Sequence, residues 1–212
     1  MKLYDYWRSS AAYRVRIALN LKNLPYQSIP IHLLNDEQRE PAYRAINPQG
    51  FVPMLVDGEH SLAQSLAIIE YLDETRPAPP LLPTAPVERA RVRAIALVVA
   101  CDIHPLNNKR ILDYLRAPLG HDKASVENWY KHWVDEGLQT LEKMLAGNKQ
   151  TGKFCHGDQI TLADICLVPQ VANALRFACP LENYPSVRRI YAACLQHPAF
   201  DKAQPDRQAD AP

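Results

Sequence analysis

Arg8-Ser9-Ser10 opens the run Ala11-Ala12-Tyr13-Arg14-Val15-Arg16-Ile17-Ala18-Leu19, and the three residues together could do chemistry. Ala11, Val15, Ala18 and Leu19 recur at helical spacing, a pattern that turns Arg14 and Arg16 away from the apolar face. The short run Lys2–Trp7 before them reads as a strand. A strand feeding a serine-opened helix makes an anion-binding corner, because unpaired backbone N–H groups and the positive end of the helix dipole converge there. A hydroxyl at such a corner can also stabilise a thiolate. A serine in that position ordinarily does no more than cap its helix, so the reading depends on what accompanies it. Asn47-Pro48-Gln49-Gly50-Phe51-Val52-Pro53-Met54-Leu55 sets an apolar residue and a proline directly before a short strand, and Gln64-Ser65 opens a second amphipathic helix.

These residues must be held by regular elements, and the punctuation of the chain supplies them. Extended runs at 2–6, 26–31, 54–56 and 61–63 alternate with helical patterns near 10–23, 37–46 and 65–75, the order of an α/β layer. Arg76 to Pro86 then carries five prolines, which forbid helix and ladder alike and make a stiff connector. Beyond it the pattern is helical: 87–116, 124–146, 161–177, 185–195 and a short turn after Pro198. Thr161-Leu162-Ala163-Asp164 is a capping box, with Thr161 at the helix start and Asp164 reaching back. The expected domains are therefore 1–80 and 87–212.

Bulk properties narrow the function classes. The 212 residues carry a net charge of +1, which argues against a broad polybasic surface for nucleic acid. No apolar run approaches the ~20 residues of a membrane span, and Met1–Asp5 enters the first strand without a signal-peptide pattern. The five cysteines (Cys101, Cys155, Cys166, Cys179, Cys194) lack C-x-x-C spacing, and the seven histidines show no ligand spacing. No metal site or disulfide framework is expected, and a cytoplasmic location fits best.

The motif Arg-Ser-Ser-x-x-Tyr-Arg-Val-Arg-Ile-Ala-Leu resembles the signature of the zeta class of glutathione transferases, whose members include maleylacetoacetate isomerases. The likeness continues through Asn47-Pro48, Gln64-Ser65-Leu66-Ala67-Ile68-Ile69-Glu70-Tyr71-Leu72, Cys101 to Asn108, Thr161 to Asp164, Leu167 to Gln170 and Gln204 to Gln208. It spans nearly the whole chain in order. The resemblance implies a thioredoxin-like α/β N-terminal domain, an all-α C-terminal domain, glutathione as cofactor, and a homodimer. It also implies a cis Val52-Pro53 bond, with the Val52 backbone pairing the cysteinyl part of the tripeptide. Gln64 and Ser65 would hold the γ-glutamyl carboxylate and Gln38 the glycine carboxylate, with His104 and Asn108 as further polar contacts. His104 and Asn108, at i and i+4, are expected to share one helix face with Arg110 beyond them.

The chemistry follows from those groups. A free thiol has a pKa near ~8.5, and lowering it by two units takes about 2.7 kcal/mol, within reach of a hydroxyl hydrogen bond combined with a helix N-terminus. Ser9 is the expected activating hydroxyl, with Ser10 supplying a backbone N–H or a second hydroxyl. The thiolate would add to a conjugated cis double bond, the bond would rotate, and elimination would restore it as trans. A diketo diacid needs cations, and Arg8, Arg110 and Arg176 are the candidates, since a guanidinium fork binds carboxylates bidentately. Where many zeta-class chains have a cysteine after the serine pair, this one has Ala11, so the reacting thiol must be that of glutathione. The activity expected first is isomerisation of maleylacetoacetate to fumarylacetoacetate in tyrosine breakdown. Maleylpyruvate isomerisation, transfer to or dehalogenation of α-halo acids, and a non-catalytic glutathione-binding module are the alternatives.

Overall fold

A computed structural model describes all 212 residues. The chain forms two compact units, Met1–Leu81 together with Leu195–Pro212, and Leu82–Cys194.

The first unit is a four-stranded mixed sheet with helices. Strands β1 (Lys2–Asp5), β2 (Gln27–Pro30), β3 (Met54–Asp57) and β4 (His60–Ala63) lie in the order β2-β1-β3-β4. β1 runs parallel to β2 (Leu3 opposite Ser28) and antiparallel to β3 (Leu3 opposite Leu55), and β3 and β4 form a hairpin. The parallel β1–β2 pair requires a crossover, and helix α1 (Ser10–Leu21) supplies it. α3 (Ser65–Thr75) packs beside α1. Leu3, Leu55, Val15, Ile17, Leu19, Ile68, Ile69 and Leu72 make the core. The short α2 (Pro41–Ile46) follows two 3-10 turns at Leu33–Asn35 and Glu37–Arg39, so the single helical pattern expected over 37–46 is divided.

Residues 195–212, assigned from sequence to the helical domain, belong to the first unit. Arg16 Nε donates to the Ala203 carbonyl at 3.0 Å and Asn20 Nδ2 to that of Ala199 at 3.1 Å, seating α9 (Pro198–Ala203) against α1. α1 is thereby enclosed, with ten of its twelve residues buried. Arg14 and Arg16 are consequently not turned outward as the spacing suggests: they are 2% and 0% exposed. The proline-rich connector is also tied down, because buried Lys22 donates to Asp73, to the Arg76 carbonyl and to the Pro79 carbonyl.

The second unit is helical: α4 (Pro86–Leu97), α5 (Lys109–Arg116), α6 (Lys123–Leu145), α7 (Leu162–Arg176) and α8 (Pro185–Leu195), the last ending at the unit boundary. The helical pattern over 87–116 is not one helix. α4 passes into a π-helical turn, Val98–Ile103, and the chain then turns through 104–108 before α5. Pro105 has no N–H to continue the ladder, and the run ends there although His104 itself keeps helical backbone at φ −59° and ψ −43°. α6 meets the π-turn so closely that a Cβ on Gly137 would lie 2.1 Å from Ile103 Cγ1, so only glycine fits there. The capping box at α7 is present: Asp164 accepts from Thr161 N at 2.8 Å and, with its other oxygen, from Cys155 N at 2.8 Å.

Candidate functional site

In the first unit the sequence-selected residues gather at the ends of α1 and α3 and on the loop before β3. Ser9 is the N-cap of α1, with φ −71° and ψ 118°, and its Oγ accepts the Ala12 amide at 3.2 Å. A hydroxyl accepting one bond still has its own proton to donate, and the amides of the first turn have no helical partner. Ser10, at the first helical position, is buried, and Arg8 lies with its guanidinium 5.5 Å from the Trp7 ring centroid.

Val52-Pro53 is cis. The turn before it is pinned at the Phe51 carbonyl, which accepts from Tyr43 Oη at 2.6 Å and Asn47 Nδ2 at 2.8 Å. Burial pushes the Tyr43 phenol up to about 12, so it stays a donor at any working pH. Val52 is 8% exposed and packs with Tyr6 and Tyr43, and neither its N–H nor its C=O joins the loop and turn hydrogen bonds of the chain. An extended peptide backbone fits such an edge. Gln38 sits beside this turn, since a Cβ on Gly50, at φ +62°, would lie 2.7 Å from the Gln38 carbonyl. Its side chain is buried, Nε2 donating to Asp36 at 3.0 Å and Oε1 lacking a partner.

At α3, Gln64 takes the N-cap position at φ +69° and ψ 116°, without capping the helix through its side chain. Its amide instead donates to Gln49 Oε1 at 2.8 Å. Ser65 is buried and accepts from Arg14 Nη1 at 3.3 Å. A buried guanidinium therefore stands behind a helix N-terminus, an arrangement that favours a carboxylate. Arg14 was missed from sequence because helical periodicity assigned it to the outer face.

Beneath the first corner lies a buried ion pair, Arg16 Nη1 to Asp5 Oδ1 at 2.8 Å and Oδ2 at 3.0 Å. Burial raises the Asp5 carboxyl and the Arg16 charge pulls it back down, leaving it above the ordinary range. Removing one partner of such a pair typically costs about 3–5 kcal/mol.

In the second unit, His104 and Asn108 do not share a helix face. His104 ends the π-turn, its N–H donating to the Val99 carbonyl at 2.9 Å, whereas Asn108 is the N-cap of α5 and accepts the Arg110 amide at 3.1 Å. The turn between them is anchored to α6, with Trp129 Nε1 donating to the Leu106 carbonyl at 2.9 Å and Asn107 Nδ2 to that of Tyr130 at 3.2 Å. Arg110 is exposed on the first turn of α5. Arg176 ends α7 with its guanidinium 4.9 Å from the Phe177 ring, which stacks on Tyr130 at 3.8 Å. Its place suits the negative end of the helix dipole. The aromatic pair thus links the 104–110 segment to Arg176.

The first unit thus brings a cis-proline turn, whose Val52 backbone joins none of the loop and turn hydrogen bonds, together with the N-termini of α1 and α3, and comparison with known proteins gives the family. Residues 3–80 match the family model for the N-terminal domain of glutathione S-transferase, and residues 110–202 that for its C-terminal domain. The chain belongs to the glutathione S-transferase family. It is 51% identical over 211 residues to the probable maleylacetoacetate isomerase of Vibrio cholerae, covering 99% of this chain and 97% of that one. It is 47% identical, with a TM-score of 0.98 and full coverage of both chains, to a holo maleylpyruvate isomerase described as a bacterial zeta-class transferase. A maleylacetoacetate isomerase from Methylobacterium extorquens AM1, solved with malonate and glutathione, is 44% identical at a TM-score of 0.98, again with full coverage of both. The zeta-class reading of the Arg8–Leu19 motif stands on these matches.

Proposed function

We propose that this glutathione transferase is a glutathione-dependent cis–trans isomerase of maleylacetoacetate. The observation that carries the reading is the Ser9 corner, where the Ser9 hydroxyl, accepting the Ala12 amide, caps the N-terminus of α1 within a chain lacking cysteine before Cys101. Bound glutathione supplies a thiolate that can add reversibly to a conjugated double bond and be released unchanged. Ser9 donates to that sulfur and, with the first amides of α1, holds its negative charge. The Val52 backbone orients the tripeptide. Gln64 and Ser65, backed by Arg14, hold its γ-glutamyl carboxylate, and Gln38 its glycine end. His104 and Asn108 add polar contacts, the Asn108 amide nitrogen being the group left over from capping. Arg8, Arg110 and Arg176 hold the carboxylates of the substrate and offset negative charge developing on its carbonyl oxygen.

Maleylpyruvate is the second reading, favoured by the full-length match at TM-score 0.98 to a maleylpyruvate isomerase. Isomerase kcat/KM on both acids, with and without glutathione, tests the proposal. A glutathione-dependent rate on maleylacetoacetate at least tenfold above that on maleylpyruvate supports it. The reverse preference assigns the second substrate, and absence of turnover despite glutathione binding overturns the isomerase. Arg176→Ala should raise KM for the diacid ten- to a hundredfold while leaving that for glutathione within twofold, the loss expected of a charged hydrogen bond. No helix is long and apolar enough to cross a membrane, consistent with the cytoplasmic location we propose. The homodimer we propose is tested by light scattering.

A further inference from the structure

Tyr6 and Trp7 form the hinge between β1 and the Arg8-Ser9 corner, and no strand pairing or helix supports their backbone. Three side chains and one turn bond hold it instead. The Tyr6 amide donates to Asp5 Oδ1 at 2.6 Å, and its carbonyl accepts from the Ser9 amide at 2.9 Å and from Arg16 Nη1 at 3.4 Å. The Trp7 carbonyl accepts from Arg16 Nη2 at 3.0 Å, and the Trp7 amide donates to Asp210 Oδ2 at 2.9 Å. Every polar group of the hinge backbone is therefore occupied, and Asp210 reaches it from 203 residues away in sequence. Asp210 is itself placed by the folded tail. Arg16 Nε holds the Ala203 carbonyl, and Gln208 Nε2 donates to the carbonyls of Lys202 and Gln204, closing the turns after α9.

We infer that Asp210 is a positioning residue: through the Trp7 amide the C-terminal tail fixes the backbone from which Arg8 and Ser9 project, and so sets how well Ser9 meets the glutathione sulfur. The inference rests on Ser9 being the thiol-activating group. Asp210 touches neither the capping contact of Ser9 nor the Gln64-Ser65 end of α3. Its loss should therefore affect thiol activation while sparing tripeptide affinity. A misplacement of about an ångström can cost up to a hundredfold in rate, and a hinge losing one of several anchors should lose less.

The test compares Asp210→Ala with Asp210→Asn in the full chain. Amide exchange by NMR, without glutathione, should quicken tenfold or more at Trp7 and at least threefold at Ser9 in Asp210→Ala. Asp210→Asn, whose amide oxygen can accept the same bond, should restore both. With glutathione, kcat of Asp210→Ala should fall three- to tenfold, KM for glutathione should stay within twofold, and the acid limb of the pH–rate profile should move upward. Unchanged Ser9 exchange overturns the inference, as does altered exchange with unchanged kcat and pH profile. A fall in Tm with KM and kcat moving together, unrescued by asparagine, overturns it in favour of a merely structural tail. If the wild-type chain binds glutathione without depressing its thiol pKa, the Ser9 reading fails, and the exchange rates still decide whether the tail fixes the hinge.

Discussion

At the N-terminus of α1 the capping residue, Ser9, lies in ordinary extended backbone and its hydroxyl takes one amide. At the N-terminus of α3 the corresponding residue, Gln64, has φ +69° and ψ 116°, no side chain caps the helix, and a buried arginine stands behind Ser65. The first end is relaxed and presents a hydroxyl proton. The second carries a backbone conformation that costs a non-glycine residue on the order of 1–3 kcal/mol, and it presents open amides with a positive charge behind them. Under the function proposed above, the two helix ends serve different anions, a polarisable sulfur at α1 and a carboxylate at α3. The first must change the charge state of its guest, the second only bind it.

That division predicts which kinetic constant each end controls. Ser9→Ala should give the largest effect, a fall in kcat of about a hundredfold or more, as when one donor to a developing anion is removed. Glutathione affinity should change little, and lost capping should lower stability by about 1 kcal/mol. Titration of bound glutathione through its thiolate absorbance checks the cause: the thiol pKa should return toward ~8.5. Turnover near that of the wild type would remove Ser9 from the chemistry. Ser65→Ala should act in the complementary way, weakening glutathione binding by about 1–3 kcal/mol with kcat at saturation largely kept. Calorimetry with the tripeptide and with its γ-glutamyl-free dipeptide separates the cases, since the variant should lose discrimination between them. Equal losses on both ligands would place Ser65 away from the γ-glutamyl group.

How far sequence reached can be seen at the same two ends. As local elements, Ser9, the Val52-Pro53 turn and the Gln64-Ser65 pair are legible because punctuation encodes them: a serine at a helix start, a proline before a strand, a polar pair opening an amphipathic run. The cis bond and the binding roles came only from the resemblance to the family. Arg14 and Arg16 were not, because periodicity ranks positions by hydropathy and cannot see a helix enclosed on every side. Arg14 is met by Ser65 of α3, and Arg16 by the Ala203 carbonyl of α9, whose docking on α1 is a contact between residues some 180 positions apart, as in the bond from Asn20 to Ala199. The break at 104–108 shows the other limit. Residues 87–116 look continuously helical, yet the chain turns through 104–108, so that His104 ends one helical run and Asn108 caps the next.

The smallest predicted effect bears directly on the strained end. Glycine reaches positive φ without the Cβ clash, so Gln64→Gly should relieve part of the backbone cost at α3. The gain is offset by the extra chain entropy glycine loses on folding, about 0.5–1 kcal/mol, and by loss of the exposed bond to Gln49. The net change in stability should therefore lie within about 1 kcal/mol of zero, with Tm unchanged or slightly raised. Glutathione affinity should nevertheless fall several-fold, because the variant gives up a polar side chain and lets the α3 corner leave its fixed conformation. A Tm decrease of many degrees would mean that Gln64 is held for folding, and its conformation would then say nothing about the carboxylate. A stable variant with weakened binding and intact kcat would show that strain at α3 is maintained for binding, while the relaxed α1 end is left to perform the chemistry.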